Sequence, residues 1–596
     1  MALSEQLRAC FEHLSAECAA LPAPYPAYAL FFSVSDGTQR AHVVHASGAD
    51  LRSAWDEGVA ALEDWMKGAS LSATWLRVDW VEGARAVSWE RLVEQLALTK
   101  RNYFRLGLAL DEGLRIAFTE QELNANAMLY AGASIEHAVV NARNFRIYAR
   151  QRFGADVSID VPPAGPAYLL SMRGVFCKSA DVLHPLGGSG LNAGRRELQT
   201  LGADDVLGLV RSASSFLARQ VKPGGLFVYG YFPCFDRPIA TYNTLRHAST
   251  LYSMIEAWEL TREAALKAAI DRAIEHLSST LIRSYPMPEG HELAFLVDSG
   301  EEIKLGGNAV CVLALVKYCE AMDTRRWQPL LEKLALGIVW MQHENGRFDH
   351  VLDAADLSLR QASRIVYYDG EAAFALMRLY GLTRDARWLA AVEKAFGYFI
   401  GNEHWRAHDH WLSYCVNELT RWRPQEKYFR FGLLNVVDHL DFVLDRKTTF
   451  PTLLELMLAA EQMIGRLRQM PEMEHLLAMV DQEKFDRALE HRAQYLLNGF
   501  FWPELAMYFK NPRAIEGSFF IRHQSFRVRI DDVEHYLSGY VGYHRLLRAR
   551  AAAAAAAGTP AGPASGRPGQ VGLGSEPPAM GKGTGIAQRA LSVRVA

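Results

Sequence analysis

From about residue 203 to residue 548, two kinds of helical pattern alternate along the chain. One helix of each pair is amphipathic, whereas its partner begins at a polar, aromatic or charged cluster and then runs nearly apolar. A helix that is apolar all round has to be buried on every side. Six such helices alternating with six amphipathic ones predict an inner ring enclosed by an outer ring. The polar starts of the inner helices would meet at one end of the ring and line a concave site.

The bounds of these helices follow from the apolar periodicity and from the polar clusters. We predict inner helices at 242–260, 308–322, 369–382, 408–420, 451–467 and 531–548. The outer helices are predicted at 204–219, 262–281, 325–342, 385–400, 425–444 and 474–500. Three Gly-x-Phe segments, at 225–227, 346–348 and 517–519, lead into stretches that predict short β-hairpins over the mouth of the ring.

The rest of the chain divides into four further parts. Residues 1–22 are predicted as an N-terminal helix, 23–160 as an α+β domain and 161–202 as a connector. Within the α+β domain, Asp36-Gly37 separates two apolar runs and predicts a hairpin. The helical ring is assigned to 203–549. Residues 550–596, rich in Ala, Gly and Pro, are predicted to be disordered because they cannot bury enough apolar surface to fold.

Composition narrows the class of protein. Half of the residues are hydrophobic and 22% are charged, with a net charge of −3, which argues against a nucleic-acid partner held by positive charge. No run of about 18 uncharged apolar residues occurs, so we predict no membrane span and no membrane partner. Seven cysteines without C-x-x-C spacing, and a start without a secretory signal, favour a reduced, cytoplasmic location.

The starts of the inner helices hold the residues that suit chemistry. The candidate catalytic residues are His247, Asp369, Glu371, His408, His410, Asp531, Asp532 and His535. The candidate substrate-binding residues are Tyr242, Asn243, Arg246, Asn308, Tyr368, Trp411, Arg527 and Arg529. Histidine suits proton transfer and arginine suits carboxylate recognition. Each group also has a structural alternative, namely a helix cap, a buried hydrogen-bonded histidine, an ion pair or a packed aromatic ring.

Metal binding is not favoured by this pattern. His408 and His410 cannot share one helical face, and no His or Cys four residues later completes a helical ligand pair. The α+β region has no Gly-rich phosphate loop. We therefore predict neither a metal site nor a cofactor.

The order of the helix pairs, the Gly-x-Phe segments and two inner starts carry a resemblance. Those starts are Tyr-Asn-x-x-Arg-His at 242–247 and Arg-Ile-Asp-Asp at 529–532. Together they resemble the six-hairpin (α/α)6 toroid superfamily, which contains glycoside hydrolases, unsaturated-glycan hydrolases, polysaccharide lyases and sugar epimerases of the N-acylglucosamine 2-epimerase kind. The resemblance covers residues 203–548, is architectural, and carries over no catalytic residue by position. It implies a mainly α fold, with an (α/α)6 toroid after a smaller α+β domain, and a ligand site where the inner helices begin.

These observations predict a carbohydrate-active enzyme that binds an acidic sugar or oligosaccharide at the mouth of the toroid. The histidines favour acid–base proton transfer of the epimerase or lyase kind, and the arginines favour an anionic saccharide. One alternative is a glycoside hydrolase that uses paired carboxylates. Another is a non-catalytic glycan-binding or scaffold protein of polysaccharide biosynthesis, whose N-terminal domain docks a protein partner.

Overall fold

The computed structural model describes residues 2–69, 73–154, 159–179, 182–187 and 190–556 of the chain. The chain up to Arg550 forms one compact unit, within which the division at residues 22, 160 and 202 stays a prediction. Of the tail predicted to be disordered, residues 557–596 lie outside the described part. Residues 551–556 continue the last helix to Ala556, because alanine has the highest helix propensity.

An antiparallel sheet dominates the N-terminal part. Its strands are β1 (Tyr28–Ser35), β2 (His42–Gly48), β3 (Trp75–Val87), β4 (Gly107–Ala109), β5 (Ala117–Phe118), β6 (Ala167–Ser179) and β7 (Val182–Leu186). Their order is β2-β1-β3-β6-β4-β5, with β7 also paired to β6. β1 and β2 form the hairpin predicted around Asp36-Gly37, which is confirmed.

Five helices accompany this sheet: α1 (Ala2–Glu17), α2 (Leu51–Gly68), α3 (Trp89–Leu98), α4 (Glu120–Ala125) and α5 (Ala142–Phe153). Successive residues of a strand point to opposite faces, and β1 uses both faces. Leu30 and Phe32 pack into a core with Leu7 of α1 and Trp55 of α2. Phe31, between them, packs into the core of the helical region. The sheet therefore lies between α1 and α2 on one side and the helical region on the other.

Twelve long helices of the described region 203–556 form two concentric rings. The inner ones are α7 (Thr244–Thr261), α9 (Leu305–Ala321), α11 (Tyr367–Thr383), α13 (His410–Trp422), α16 (Thr452–Leu467) and α20 (Ile530–Ala556). The outer ones are α6 (Ala203–Gln220), α8 (Ala264–Thr280), α10 (Gln328–Trp340), α12 (Ala386–Gly401), α14 (Glu426–Leu434) and α17 (Gln482–Tyr495). Every residue of α9 from Leu305 to Lys317 is buried, as an all-round apolar helix requires.

The inner ring is closed. Each of α7, α9, α11, α13 and α16 packs against the next. Gly539 of α20 lies against Leu454 of α16, and Ser249 of α7 donates a hydrogen bond to Glu534 of α20 at 3.2 Å. The chain is thus mainly α, with an (α/α)6 toroid after a sheet-rich N-terminal part, as the sequence predicts.

Two outer helices predicted as continuous are broken. The span 425–444 divides into α14, a 3₁₀ turn at Val437–His439 and α15 (Leu440–Asp445). α14 ends at Leu434, and the side-chain amide of the next residue, Asn435, bonds to both backbone groups of Asp409. The span 474–500 begins as a 3₁₀ helix at Pro471–Met479, and α17 starts only after Asp481, whose side chain accepts from Lys484 N.

Short strands and helices lie in the segments that lead from an outer helix to the next inner helix. The strands are β8 (Gly230–Phe232), β9 (Arg237–Pro238), β10 (Ile282–Pro286), β11 (Glu292–Asp298), β12 (Glu302–Lys304), β13 (Val351–Asp353), β14 (Leu359–Gln361) and β15 (Val528–Arg529), and the short helices are α18 (Pro503–Ala506) and α19 (Pro512–Ile515). Two of the three predicted hairpins are present, β8–β9 and β13–β14. The third Gly-x-Phe segment instead leads to β15, which pairs with β8.

The structure bears on two predictions about location. Among the described residues, no helix is long and apolar enough to cross a membrane. All seven cysteines lie in the described part and none is in a disulfide.

Candidate active site

Six side chains from four inner helices meet near the axis of the toroid. They are Glu371 of α11, His410 and Tyr414 of α13, Glu455 of α16, and Glu534 and His535 of α20, and we call them the acid–base cluster. Glu371, His410, Glu455 and Glu534 are buried, Tyr414 is partly buried, and the side chain of His535 keeps 23% of its exposure. Solvent therefore reaches the cluster at His535.

His535 lies between two carboxylates. Its Nδ1 is 2.9 Å from Oε2 of Glu455 and 3.7 Å from Oε1 of Glu534. Burial disfavours the charged imidazolium, but Glu534 and Glu455 outweigh it and raise the pKa of His535 to about 10. At neutral pH, His535 is a proton donor.

Glu455 and Glu534 are each fixed by a hydroxyl group. The Tyr414 hydroxyl donates to Oε1 of Glu455 at 3.1 Å, and Ser249 Oγ donates to Oε2 of Glu534 at 3.2 Å. These bonds leave the opposite oxygen of each carboxylate to face His535. The carboxylates therefore hold the imidazole in one orientation.

His410 has one occupied and one unoccupied ring nitrogen. Its Nδ1 lies 3.3 Å from Oδ1 of Asp409, and Asp409 itself caps α13 by accepting from Trp411 N and Leu412 N. Its Nε2 is buried and has no hydrogen-bond partner among the described residues. The ring lies edge-on to that of His535, with the centroids 5.4 Å apart. His410 is thus oriented through one nitrogen, and the other is available to a ligand.

Glu371 is a buried carboxyl group pressed against α9. Burial, followed by the nearby charge of Asp409, raises the pKa of Glu371 to about 8, so it is protonated at neutral pH. Its Oε2 has no hydrogen-bond partner within the described part of the chain. A Cβ at Gly306 would lie 1.9 Å from this oxygen, so the glycine makes the room that Glu371 occupies.

Beside this cluster lies a network of arginines and aspartates. Asp531 binds Arg529, with Nε and Oδ1 2.5 Å apart, and Arg246, with Nε and Oδ2 2.8 Å apart. Asp532 binds Arg527, with Nη2 and Oδ1 2.7 Å apart. Burial alone would raise the pKa of Asp531, but Arg529 and Arg246 hold it well below its usual range. Neither aspartate suits the role of a proton donor.

These ion pairs change the expectation for the arginines. Arg246, Arg527 and Arg529 each bind an aspartate rather than an open cleft. The ion-pair alternative therefore describes them, and the expected preference for an anionic saccharide loses its support.

Asp369 and Glu371 do not share a site. Two residues along a helix are separated by about 200° around its axis, so the two side chains point to opposite sides of α11. Asp369 Oδ2 lies 3.4 Å from Nε2 of His350, a buried residue that follows the second Gly-x-Phe segment. Asp369 therefore lies apart from the acid–base cluster, which corrects its grouping with Glu371.

His247 and His408 are also away from the cluster. His247 is fully buried, with Nδ1 2.7 Å from the Tyr242 hydroxyl and Nε2 3.1 Å from the carbonyl oxygen of Ala273 in α8. Burial lowers the pKa of His247 to about 4. His408 Nδ1 lies 3.0 Å from the carbonyl oxygen of Asn435. Both histidines connect inner starts to the outer ring, as the structural alternative describes.

The other candidate binding residues serve the fold. Asn243 caps α7 by accepting from Arg246 N, and Asn308 Oδ1 accepts from Leu296 N at 2.7 Å. Tyr368 and Trp411 are buried, with exposures of 4% each. Asn308, Tyr368 and Trp411 are thus shielded from solvent, and the side chain of Asn243 is engaged as a helix cap.

Glu455 and Glu534 were missed by sequence reasoning. Glu455 lies inside an otherwise apolar run, Leu453-Leu-Glu-Leu-Met457, and that isolated acid was the available signal. Glu534 lies three residues after Asp531, on the same face of α20. The aspartate pair before it was the more conspicuous motif.

One group of side chains has the composition of a metal site. His410, Glu455 and His535 each offer one ligand atom, and the three atoms lie within 4.8 Å of one another. The sequence prediction of no metal site rests on His408 and His410. The three residues of this group come from three separate helices, so their spacing along the chain does not indicate that they lie close together.

The chain matches no protein-family model and no curated protein. Among solved structures it is similar to D-mannose isomerase, with 12% identity and a TM-score of 0.43 over 59% of this chain and 99% of that one. It is similar to cellobiose 2-epimerase from Bacillus thermoamylovorans, with 12% identity and a TM-score of 0.43 over 58% and 100%. The GH76 α-mannanase from Bacteroides thetaiotaomicron gives 10% identity and a TM-score of 0.38 over 58% and 98%. Similarities this low say nothing of substrate, so the site stands on its own geometry.

Proposed function

We propose that the chain is a carbohydrate-active enzyme that moves a proton at a carbon next to a carbonyl or carboxyl group of a saccharide, with an epimerase-like or lyase-like outcome. The observation that carries this proposal is the pair His410 and His535 on different inner helices. Their rings lie 5.4 Å apart, and they have different surroundings. Acid–base chemistry needs such a pair, because one group removes a proton while another supplies one.

The roles follow from the contacts. Nε2 of His410 is the base, since Asp409 lies at its Nδ1 and Nε2 is available. The C–H electrons move into an enediol-like C=C bond, and the carbonyl oxygen takes up a proton. His535 or Glu371 is the donor, because each carries a proton at neutral pH. Return of a proton to the other face of the carbon completes epimerisation, and loss of a leaving group completes elimination.

A saccharide is proposed because a partly exposed aromatic ring adjoins the base. Tyr367 lies edge-on to His410, with the ring centroids 5.6 Å apart. Aromatic faces suit the C–H surfaces of sugars and leave their hydroxyls to polar groups. Because the nearby arginines are already in ion pairs, neutral sugars join uronic acids as candidate substrates.

The proposal is tested by solvent exchange. The purified chain is incubated in D₂O with D-mannose, cellobiose or uronic-acid oligosaccharides, and NMR follows deuterium at the carbon next to the carbonyl or carboxyl group. We expect exchange with at least one sugar, and a loss of about 10²–10⁴-fold in His410→Gln and in His535→Gln. His475→Gln, an exposed histidine paired with Glu426, is the matched control and keeps the wild-type rate.

The same incubation separates the alternatives. Release of new reducing ends without exchange would favour a glycoside hydrolase, for which Glu371 has the protonated state of a general acid. Calorimetric binding of a sugar that is recovered unchanged and without deuterium would favour a binding protein. Exchange that survives in both histidine variants would overturn the proposal.

A further inference from the structure

A polar cavity lies where the N-terminal sheet region meets the toroid. Arg105 and Glu120 line it from the N-terminal region, Arg195 from the connector, and Arg522 from the segment that precedes α20. Apolar walls come from Leu497, Phe500, Trp502 and Leu505. The space between these side chains is small and part of it is open to solvent. No residue of the acid–base cluster lines this cavity.

The charges that line the cavity do not balance. Its described wall carries three guanidinium groups and one carboxylate. Oε1 of Glu120 is 3.3 Å from Nε of Arg105 and 3.6 Å from Nη1 of Arg522, so two arginines share one oxygen. Asn124 donates to the same oxygen at 3.1 Å. A single carboxylate is therefore divided between two cations.

Arg195 is held only by neutral acceptors. Its Nε donates to Oδ1 of Asn498 at 2.8 Å, and its Nη1 donates to the backbone oxygen of Arg196 at 2.9 Å. Nη2 lies 3.3 Å from Oδ1 of Asn192. These contacts orient the guanidinium group without an ion pair, and the carboxylates of Glu197 and Glu504 act on it only from a longer distance.

Burial makes this excess charge costly. Arg522 is 4% exposed and Glu120 is 5% exposed. Charged side chains are almost never buried without pairing, because desolvation costs several kcal/mol per ion. The side chain of Arg105 keeps 10% exposure, and its Nε lacks a hydrogen-bond partner among the described residues. Burial, followed by the charge of Arg105, lowers the pKa of Arg522 to about 10. A bound anion would relieve each of these costs.

We propose that this cavity binds a small oxyanion, a phosphate or carboxylate group, between the guanidinium groups of Arg105, Arg195 and Arg522. Guanidinium groups offer planar pairs of N–H donors that match the oxygens of both groups. The apolar residues of the wall lower the local dielectric constant and so strengthen the ionic contacts. This site is separate from the proposed reaction site and does not depend on its chemistry.

The test uses the full chain and two probes, inorganic phosphate and acetate. Calorimetry and thermal unfolding are measured against sodium chloride at equal ionic strength. We expect saturable binding of at least one probe and a rise in Tm that chloride does not reproduce. Binding of phosphate alone, of acetate alone or of both identifies the oxyanion class.

Variants locate the binding. Arg195→Gln is expected to weaken at least tenfold the affinity for whichever probe binds. Arg195→Lys keeps the positive charge but lacks the planar pair of N–H donors, and it is expected to weaken the affinity less. Arg219→Gln, an exposed arginine of α6 that donates to Ser215, is the matched control and keeps the wild-type affinity. The proposal is overturned if neither probe binds saturably, if chloride is equally effective, or if both Arg195 variants bind as tightly as the wild type. Deuterium exchange on sugars tests the acid–base cluster and not this cavity. Failure of one proposal would therefore leave the other standing.

Discussion

His535 Nδ1 and Glu455 Oε2, on neighbouring inner helices of the toroid, lie 2.9 Å apart. Glu455 is 1% exposed, so this carboxylate has little water to solvate it. The imidazolium of His535 supplies the compensating charge, and the Tyr414 hydroxyl satisfies the second carboxylate oxygen. The pair links α16 to α20 and sets the protonation of the cluster at the same time.

The first prediction concerns removal of this carboxylate charge. Glu455→Gln is expected to lower the pKa of His535 from about 10 by at least one unit, because the closest carboxylate is lost and only Glu534 at 3.7 Å and the more distant Asp531 remain to stabilise the imidazolium. Imidazole NMR resonances followed against pH measure this shift. Glu461→Gln, on the same helix and paired with Arg468, should leave the pKa of His535 unchanged.

The same substitution is expected to destabilise the fold. Because the pKa of His535 is raised above its unfolded value of 6.5, its stabilisation is fully present below pH 6.5 and is lost as the pH rises through 10. Breaking one partner of a buried ion pair costs about 3–5 kcal/mol. Urea unfolding of Glu455→Gln at pH 6.5 should show this loss, and a smaller one near pH 10. An equal loss at both values would contradict the ion-pair account.

The second prediction concerns the pH dependence that Glu371 imposes. Its pKa is raised from 4.5 to about 8 by burial, so between these values the folded carboxyl keeps a proton that the unfolded one has released. The contribution of Glu371 to stability therefore falls as the pH rises through this window. Glu371→Gln mimics the protonated form at every pH. Its free energy of unfolding, relative to that of the wild type, should therefore rise by about 1.4 kcal/mol per pH unit.

Unfolding in urea at pH 5, 6, 7 and 8 measures this difference. Glu332→Gln, an exposed carboxylate of α10, is the control and should differ from the wild type by the same amount at each pH. A constant difference for Glu371→Gln as well would show that its carboxyl ionises normally.

The ring could be predicted from sequence because burial on all sides leaves a local signature. The run from Leu305 to Lys317 is apolar almost throughout, and all of it is buried. The breaks in the outer helices could not be predicted in the same way. α14 ends just before Asn435, which binds the backbone of Asp409, 26 residues away and adjacent only in the folded chain.

The site was harder to predict than the ring, because a residue at the start of an inner helix faces the axis only if the helix is suitably rotated. Glu371 faces the axis while Asp369, two residues earlier, contacts His350 instead. Rotation is set by packing against neighbouring helices, which a polar cluster in the sequence does not encode. For the same reason, Glu455 became visible as a site residue only through its contact with His535.

The third prediction concerns Gly306 at the start of α9. A Cβ there would lie 1.9 Å from Oε2 of Glu371 and 2.4 Å from Cδ1 of Tyr368. Overpacking of this kind costs about 1–3 kcal/mol. Gly306→Ala is therefore expected to destabilise the fold by this amount and to displace Glu371, with a loss of sugar exchange.

Gly465 in α16 provides the matched control. An added Cβ there meets nothing within 4 Å, and alanine is the better helix former. Gly465→Ala should stabilise the protein by about 0.5–1 kcal/mol and leave exchange unchanged. Thermal and urea unfolding measure both variants. A Gly306→Ala variant as stable as the wild type would contradict the prediction. It would show that the Glu371 side chain can adopt another position without a cost in stability.

The last prediction concerns zinc. His410, Glu455 and His535 have ligand atoms within 4.8 Å of one another, whereas tetrahedral zinc with bonds of about 2.0–2.2 Å draws its ligand atoms to about 3.4 Å. Zinc would also have to displace the proton that His535 holds beside Glu455, because a histidine ligand must be deprotonated. We therefore expect well under one zinc ion per purified chain, and no change of Tm when a chelator is added. Elemental analysis and thermal unfolding, with and without added zinc, check this. Zinc at one ion per chain that is lost in His410→Gln would contradict the prediction, and would make the ion, rather than Glu455, the partner of His535.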